Sequence, residues 1–145
     1  MKAIVQRVLS ARVEVEGEIC GQIEQGLVVF VGVTGEDTSE NAQKLAQKLG
    51  KLRIFSDEDD RFNYSVQDVK GKILLISNFT LCGDARKGNR PNFMAAALPE
   101  KAEQLYMELA KLLENTGLEV ATGRFGADMR VFVENDGPVS IILEL

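Results

Sequence analysis

The residues here that could do chemistry are hydroxyls, side-chain amides, arginines and two cysteines, because the sequence contains no histidine. That absence removes Ser-His-Asp and Cys-His hydrolytic arrangements and every histidine-ligated metal site. Ser77-Asn78-Phe79-Thr80 stands at the end of an apolar run and precedes a polar loop, a place where sites are commonly built. An ester could be cleaved there if backbone N–H groups formed an oxyanion hole, with water or a group on the substrate accepting the proton. The plainer alternative is that Ser77 and Thr80 bond their own backbone as a strand ends, and spacing alone favours it. Gly137-Pro138 follows Asn135-Asp136 and reads as a turn between two strands. X-Pro bonds are cis in only about 5–6% of folded cases, so these residues alone do not imply a cis bond. A cis bond there would aim the Gly and Pro carbonyls rigidly, and rigid carbonyls can reject a substrate on shape.

Other motifs fail on inspection. Gly83 and Gly88 have the gap of a phosphate-binding loop, but Asn89-Arg90 stands where Lys followed by Ser or Thr is required. Asp57, Asp59 and Asp60 resemble the start of a calcium loop, yet the sixth position is Phe62 and the twelfth Asp68. A solvated turn is the better reading of those acids, ahead of a catalytic carboxylate pair. No metal and no cofactor are expected.

Elements must position whatever chemistry remains. The chain has 145 residues, 45% apolar and 27% charged, which fits one globular domain spanning 1–145 and excludes wholesale disorder. No apolar run is long enough to span a bilayer, and Gln6-Arg7 interrupts any signal-peptide core near the start. Cys20 and Cys82 read as two buried thiols in a reducing compartment, so a cytoplasmic location is expected. The net charge of −5 excludes binding of nucleic acid through bulk charge. An RNA partner would need a local basic patch, and Arg86, Lys87 and Arg90 offer one; a merely solvated loop fits them as well. DNA is not an expected partner.

Leu27–Val33 and Lys72–Thr80 are apolar on both faces and should be central strands. Further strands are expected around Ile4, Val5 and Val8, at Val13–Glu16, and over Ile19–Ile23, Leu52–Phe55, Leu118–Thr122, Met129–Glu134 and Val139–Leu145. One helix should open near Asp37-Thr38-Ser39, bury Ala42, Leu45, Ala46 and Leu49, and stop at Gly50. A second should open at Pro99, bury Ala102, Leu105, Tyr106, Leu109, Leu112 and Leu113, and end by Gly117. The expected class is α+β, a mainly antiparallel sheet or partly closed β-barrel with two principal helices packed on it.

Five segments then carry a likeness. They are Gln6-Arg7-Val8, Ser77-Asn78-Phe79-Thr80-Leu81, Lys87-Gly88-Asn89-Arg90-Pro91-Asn92-Phe93, Gly123-Arg124-Phe125-Gly126-Ala127-Asp128-Met129 and Asn135-Asp136-Gly137-Pro138-Val139. On these, in this order, the chain resembles the D-aminoacyl-tRNA deacylases, also called D-tyrosyl-tRNA deacylases, essentially end to end. The resemblance implies a homodimer that hydrolyses the ester joining a D-amino acid to the 3′ end of tRNA, and also glycine mischarged on tRNA-Ala. It implies that Ser77, Phe79 and Thr80 are catalytic, with backbone amides near Phe79 and Thr80 steadying the oxyanion. Thr80 is a candidate nucleophile; assistance by the substrate's ribose 2′-hydroxyl is preferred. Asn78 would touch substrate. Gly137-Pro138 would form a cis step that enters the partner's site and excludes L-amino acids, Arg7 would brace it, and Phe125 and Met129 would lie near the adenine. Asn78 departs from the family's usual glutamine and Ser140 from its usual threonine. Two other readings stand beside this one: a non-catalytic dimeric module holding an RNA end or nucleotide, and a metal-dependent hydrolase.

Overall fold

The computed structural model describes residues 1–145. In chain order its elements are β1 (Lys2–Val15), β2 (Glu18–Ile23), β3 (Gly26–Gly32), α1 (Ser39–Lys51), β4 (Phe55–Ser56) and β5 (Phe62–Tyr64), then β6 (Lys72–Ser77), a 3-10 turn (Phe79–Cys82), α2 (Pro99–Glu114), β7 (Val120–Thr122) and β8 (Arg130–Glu144). The strand order is β2-β1-β3-β6-β7, with β8 on the remaining edge of β1. The result is a nearly closed, barrel-like mixed sheet with two helices, an α+β fold.

β1 organises the sheet. One edge pairs β8 along most of its length; the other pairs β3 over Lys2–Val8 and β2 over Ala11–Val15, all antiparallel. The pairs β3–β6 and β6–β7 are parallel, so the antiparallel expectation holds only for the half built on β1. The reason is connection length: α1 and α2 lie between the parallel neighbours, and a parallel pair needs such a crossover. The barrel approaches closure where β2 meets β7. A Cβ at Gly21 would stand 2.5 Å from the Thr122 carbonyl oxygen, so only glycine lets the two strands come this close.

Two cores explain why β3 and β6 are apolar on both faces. Leu27, Val29, Val31, Ile73 and Leu75 pack with α1 and α2 in the larger core. Val28, Leu74 and Ile76 pack with Val8, Val13 and Ile23 in the smaller one. Alternate side chains of one strand thus feed opposite faces. Tyr106 is buried on α2 and donates its hydroxyl to the Leu75 carbonyl at 2.7 Å, tying helix to sheet; burial pushes its phenol well above the usual tyrosine range.

Several boundaries differ from expectation. α1 is capped by Thr38, whose N–H and hydroxyl donate to Asn41 Oδ1 at 2.8 and 3.0 Å. Asp37 is buried and instead accepts from the Met1 ammonium and from Thr34 N–H, each at 2.6 Å. Gly50 does not stop α1; it is buried within the helix, which runs to Lys51 and yields at Leu52, an extended residue. The strand at 72 ends at Ser77, three residues early, because the chain tightens into the 3-10 turn. The Asp57–Asp60 turn joins a short hairpin of β4 and β5. Cys20 is exposed and Cys82 buried, both as free thiols; Cys20 lies on β2, most of whose residues face outward. No helix is long and apolar enough to cross a membrane.

The largest difference lies in β8. Arg130–Glu144 form one strand along β1, not two strands reversed at Asn135–Pro138. The register shifts there: Gln6 faces Ser140 while Val8 faces Asn135, so β8 carries extra residues in an outward excursion. β1 records the same irregularity, since Arg7 and Val8 are both buried and Leu9 and Ser10 both exposed, against the alternation elsewhere in the strand.

Candidate active site

The site begins where β6 ends. Asn78 N–H donates to the Val31 carbonyl at 2.8 Å, holding the strand end against β3. The chain then winds into the 3-10 turn, whose bonds run from Leu81 N–H to Asn78 O (3.3 Å) and from Gly83 N–H to Thr80 O (3.0 Å). The N–H groups of Phe79 and Thr80 open the turn, ahead of the first of these bonds, as the opening donors of any helical turn must. Thr80 Oγ1 donates to Asn78 Oδ1 at 2.5 Å. Behind the turn, Cys82 Sγ contacts the Val33 carbonyl at 3.4 Å, and burial pushes its thiol up, away from thiolate character.

This turn walls a groove of about 790 Å³. Ser77, Asn78, Phe79 and Thr80 line it together with Phe125 and Met129, so six of the expected site residues meet in one place. The wall is mostly apolar, and Asp128 is its one ionisable residue. Phe79 is 58% exposed and meets Phe93 edge-on at 5.2 Å between ring centres. Phe125 rests against Tyr106 at 6.0 Å, so α2 supports the groove floor. Phe93 was not singled out by the sequence reading, although it ends one of the five segments; its packing on Phe79 has no signature in spacing. No cluster of three or more His, Cys, Asp or Glu side chains is placed to hold a metal ion.

Arg7, Gly137 and Pro138 lie elsewhere and line none of this groove. Arg7 is buried, and its guanidinium grips the β8 excursion. Nε donates to Asp136 O at 3.3 Å and pairs with Asp136 Oδ2 at 3.1 Å, while Nη1 donates to Ile54 O at 2.8 Å. Gly137 and Pro138 are exposed at the tip, joined by a cis peptide bond. Gly137 has φ +133°, and a Cβ there would stand 2.6 Å from Val139 Cγ2, so both backbone and space demand glycine. Asn135, which spacing marks only as a turn residue, and Ile54, which no motif marks, complete this bracing.

The basic loop after the 3-10 turn is not uniformly available. Arg86 forks onto Asp84, with Nε to Oδ1 at 2.9 Å and Nη2 to Oδ2 at 2.6 Å, and this guanidinium holds the Asp84 carboxyl far below the usual range. Lys87 and Arg90 are exposed, and neither is in an ion pair.

A histidine-free groove on a nearly closed mixed sheet defines a fold that solved structures share. One solved chain, described as "c-Myc DNA Unwinding Element Binding Protein", is 41% identical with a TM-score of 0.94 over 100% of this chain and 99% of that one. Another, described as a probable eukaryotic D-amino acid tRNA deacylase, has a TM-score of 0.88 at 14% identity over 99% and 98% of the two chains, a likeness of fold alone. The family model for D-Tyr-tRNA(Tyr) deacylase matches residues 4–144. The D-aminoacyl-tRNA deacylases of Halalkalibacterium halodurans and Thermotoga petrophila are 56% and 51% identical over 144 residues, covering 99% of this chain and 99% and 97% of theirs. The chain belongs to this deacylase family, and it is a hydrolase acting on ester bonds.

Proposed function

We propose that the chain hydrolyses the ester of D-aminoacyl-tRNA, releasing free D-amino acid and tRNA, with glycine mischarged on tRNA-Ala as a second substrate. The observation that carries this reading is the 3-10 turn on the groove wall, which places the N–H groups of Phe79 and Thr80 at its opening, ahead of its first internal hydrogen bond. Water attacks the ester carbonyl carbon, and the carbonyl oxygen, now negative, accepts from those two donors. One such donor is worth about 3 kcal/mol in the transition state. The 2′-hydroxyl of the terminal ribose assists the attacking water, the tetrahedral intermediate collapses, and the C–O bond to the ribose 3′-oxygen breaks. Thr80 positions the turn through Asn78 and does not itself attack. An amide oxygen is no base, and the wall's one ionisable residue, Asp128, makes no hydrogen bond to the Thr80 hydroxyl, so the adjacent base that activates a hydroxyl nucleophile is missing. Phe125 and Met129 receive the adenine.

Chirality is set from outside the protomer. Gly137 and Pro138 do not line their own chain's groove, yet they are exposed on a braced support. In a homodimer each tip enters the partner's groove, where its carbonyls exclude the side chain of an L-amino acid. The enzyme then serves translation quality control in the cytoplasm as a single 1–145 domain in each subunit.

Incubating the protein with D-tyrosyl-tRNA and L-tyrosyl-tRNA tests the proposal: selective loss of the D-ester is expected, and its absence overturns the reading. A second reading, a non-catalytic module holding a nucleic-acid end in the groove, is favoured by the likeness to the chain described as binding a DNA unwinding element. The net charge of −5 opposes broad nucleic-acid binding. This reading predicts binding of the acceptor end with both esters intact.

A further inference from the structure

We infer that Asn135 is a positioning residue for stereochemical discrimination, acting by fixing the Gly137–Pro138 tip; this rests on the deacylase reading above. Its Nδ2 donates to the Arg7 carbonyl on β1 and to the Val139 carbonyl beyond the tip, both at 2.9 Å. Both hydrogens of one amide are thus used, one across to the neighbouring strand and one across the base of the excursion itself. From the other side Arg7 holds Asp136 and the Ile54 carbonyl. Val139 is 7% exposed and anchored in the larger core. The excursion is therefore clamped at its entry by Asp136, at its exit by Val139, and across its base by Asn135, while its tip is left free in solvent.

The chemistry demanded at this position is narrow. Two carbonyl oxygens face the side chain, so it must present two donors and carry no negative charge. Only a primary amide of this length does so here. A carboxylate would set oxygen against oxygen, and a hydroxyl could serve one carbonyl at most. A bulge needing only stability could be closed by packing alone. A double donor under an exposed glycine and proline fixes where the tip stands, and a shape-based filter depends on that height.

The test uses the full-length Asn135→Asp and Asn135→Ser variants, assayed on D-tyrosyl-tRNA and L-tyrosyl-tRNA, with melting curves to establish folding. The ratio of L to D kcat/KM is expected to rise about tenfold, the equivalent of one neutral hydrogen bond, through a gain in cleavage of the L-ester. A merely structural role would lower both rates together and produce no such gain. Asn135→Ser keeps one donor and should show the smaller rise, so it covers a failure of Asn135→Asp to fold. Folded variants whose ratio stays within about twofold of the parent overturn the inference while leaving the deacylase reading intact. A parent protein with no D-selective hydrolysis overturns both.

Discussion

The Thr80 hydroxyl donates to the side-chain carbonyl of Asn78 at 2.5 Å. A hydroxyl committed in this way to an amide oxygen is held in place without being made more nucleophilic, and this shapes what each substitution should do.

Thr80→Ala should keep a substantial fraction of deacylation, with kcat/KM falling about tenfold at most, because the backbone donors of residues 79 and 80 survive the change. Single-turnover kinetics on D-tyrosyl-tRNA measure this. Complete loss in a folded variant would instead make Thr80 the nucleophile.

Arg7→Lys should weaken discrimination and lower stability by about 1–2 kcal/mol. A lysine cannot reproduce a planar fork that reaches both Asp136 and the Ile54 carbonyl. Denaturant unfolding and the ratio of D to L cleavage together check it; a variant identical to the parent in both would count against the bracing role.

Among the loop cations, Lys87→Ala and Arg90→Ala should each reduce the salt dependence of tRNA binding, by roughly one phosphate contact in the slope. Arg86→Ala should change it less, because Arg86 already answers Asp84. Affinity measured across a salt series reads this directly. A flat series for the parent would mean that the loop is only solvated.

Stability should decline on the acid side through carboxylates held by their own turns. Asp57 Oδ1 accepts from Asp59 and Arg61 N–H, and Oδ2 accepts from Asn63. Its pKa is lowered, chiefly by the Arg61 backbone bond. Asp68 is lowered by Ser65 in the same manner. A carboxyl with a depressed folded pKa stabilises above its unfolded value of about 4 and loses that contribution as pH falls through the folded one. Asp57→Asn keeps an acceptor oxygen but no longer titrates, so its melting temperature should fall less than the parent's between about pH 5 and pH 2. Equal declines would show that Asp57 does not contribute to the slope.

Much of this architecture was legible because local patterns encode it. The doubly apolar runs at 27–33 and 72–80 announced strands buried on both faces, and each has a core on either side, although the second strand ends at Ser77. The spacing of Ala42, Leu45, Ala46 and Leu49 set the inner face of α1, and Pro99 marked the first residue of α2. Composition likewise removed histidine chemistry before any fold was known.

Only the tertiary structure decided the rest, because those features depend on partners distant in sequence. Asn135-Asp136-Gly137-Pro138 has the residues of a reversing turn, yet the continuous edge of β1 keeps β8 running straight and turns the segment into a braced excursion. Arg86 reads as a free cation until the loop folds it onto Asp84. The missing histidine defined what the site could not be. The groove gained its positive content when β6 ended at Ser77 and the chain wound into a 3-10 turn that brings the N–H groups of residues 79 and 80 to its opening, a consequence of hydrogen-bond geometry that no residue type announces.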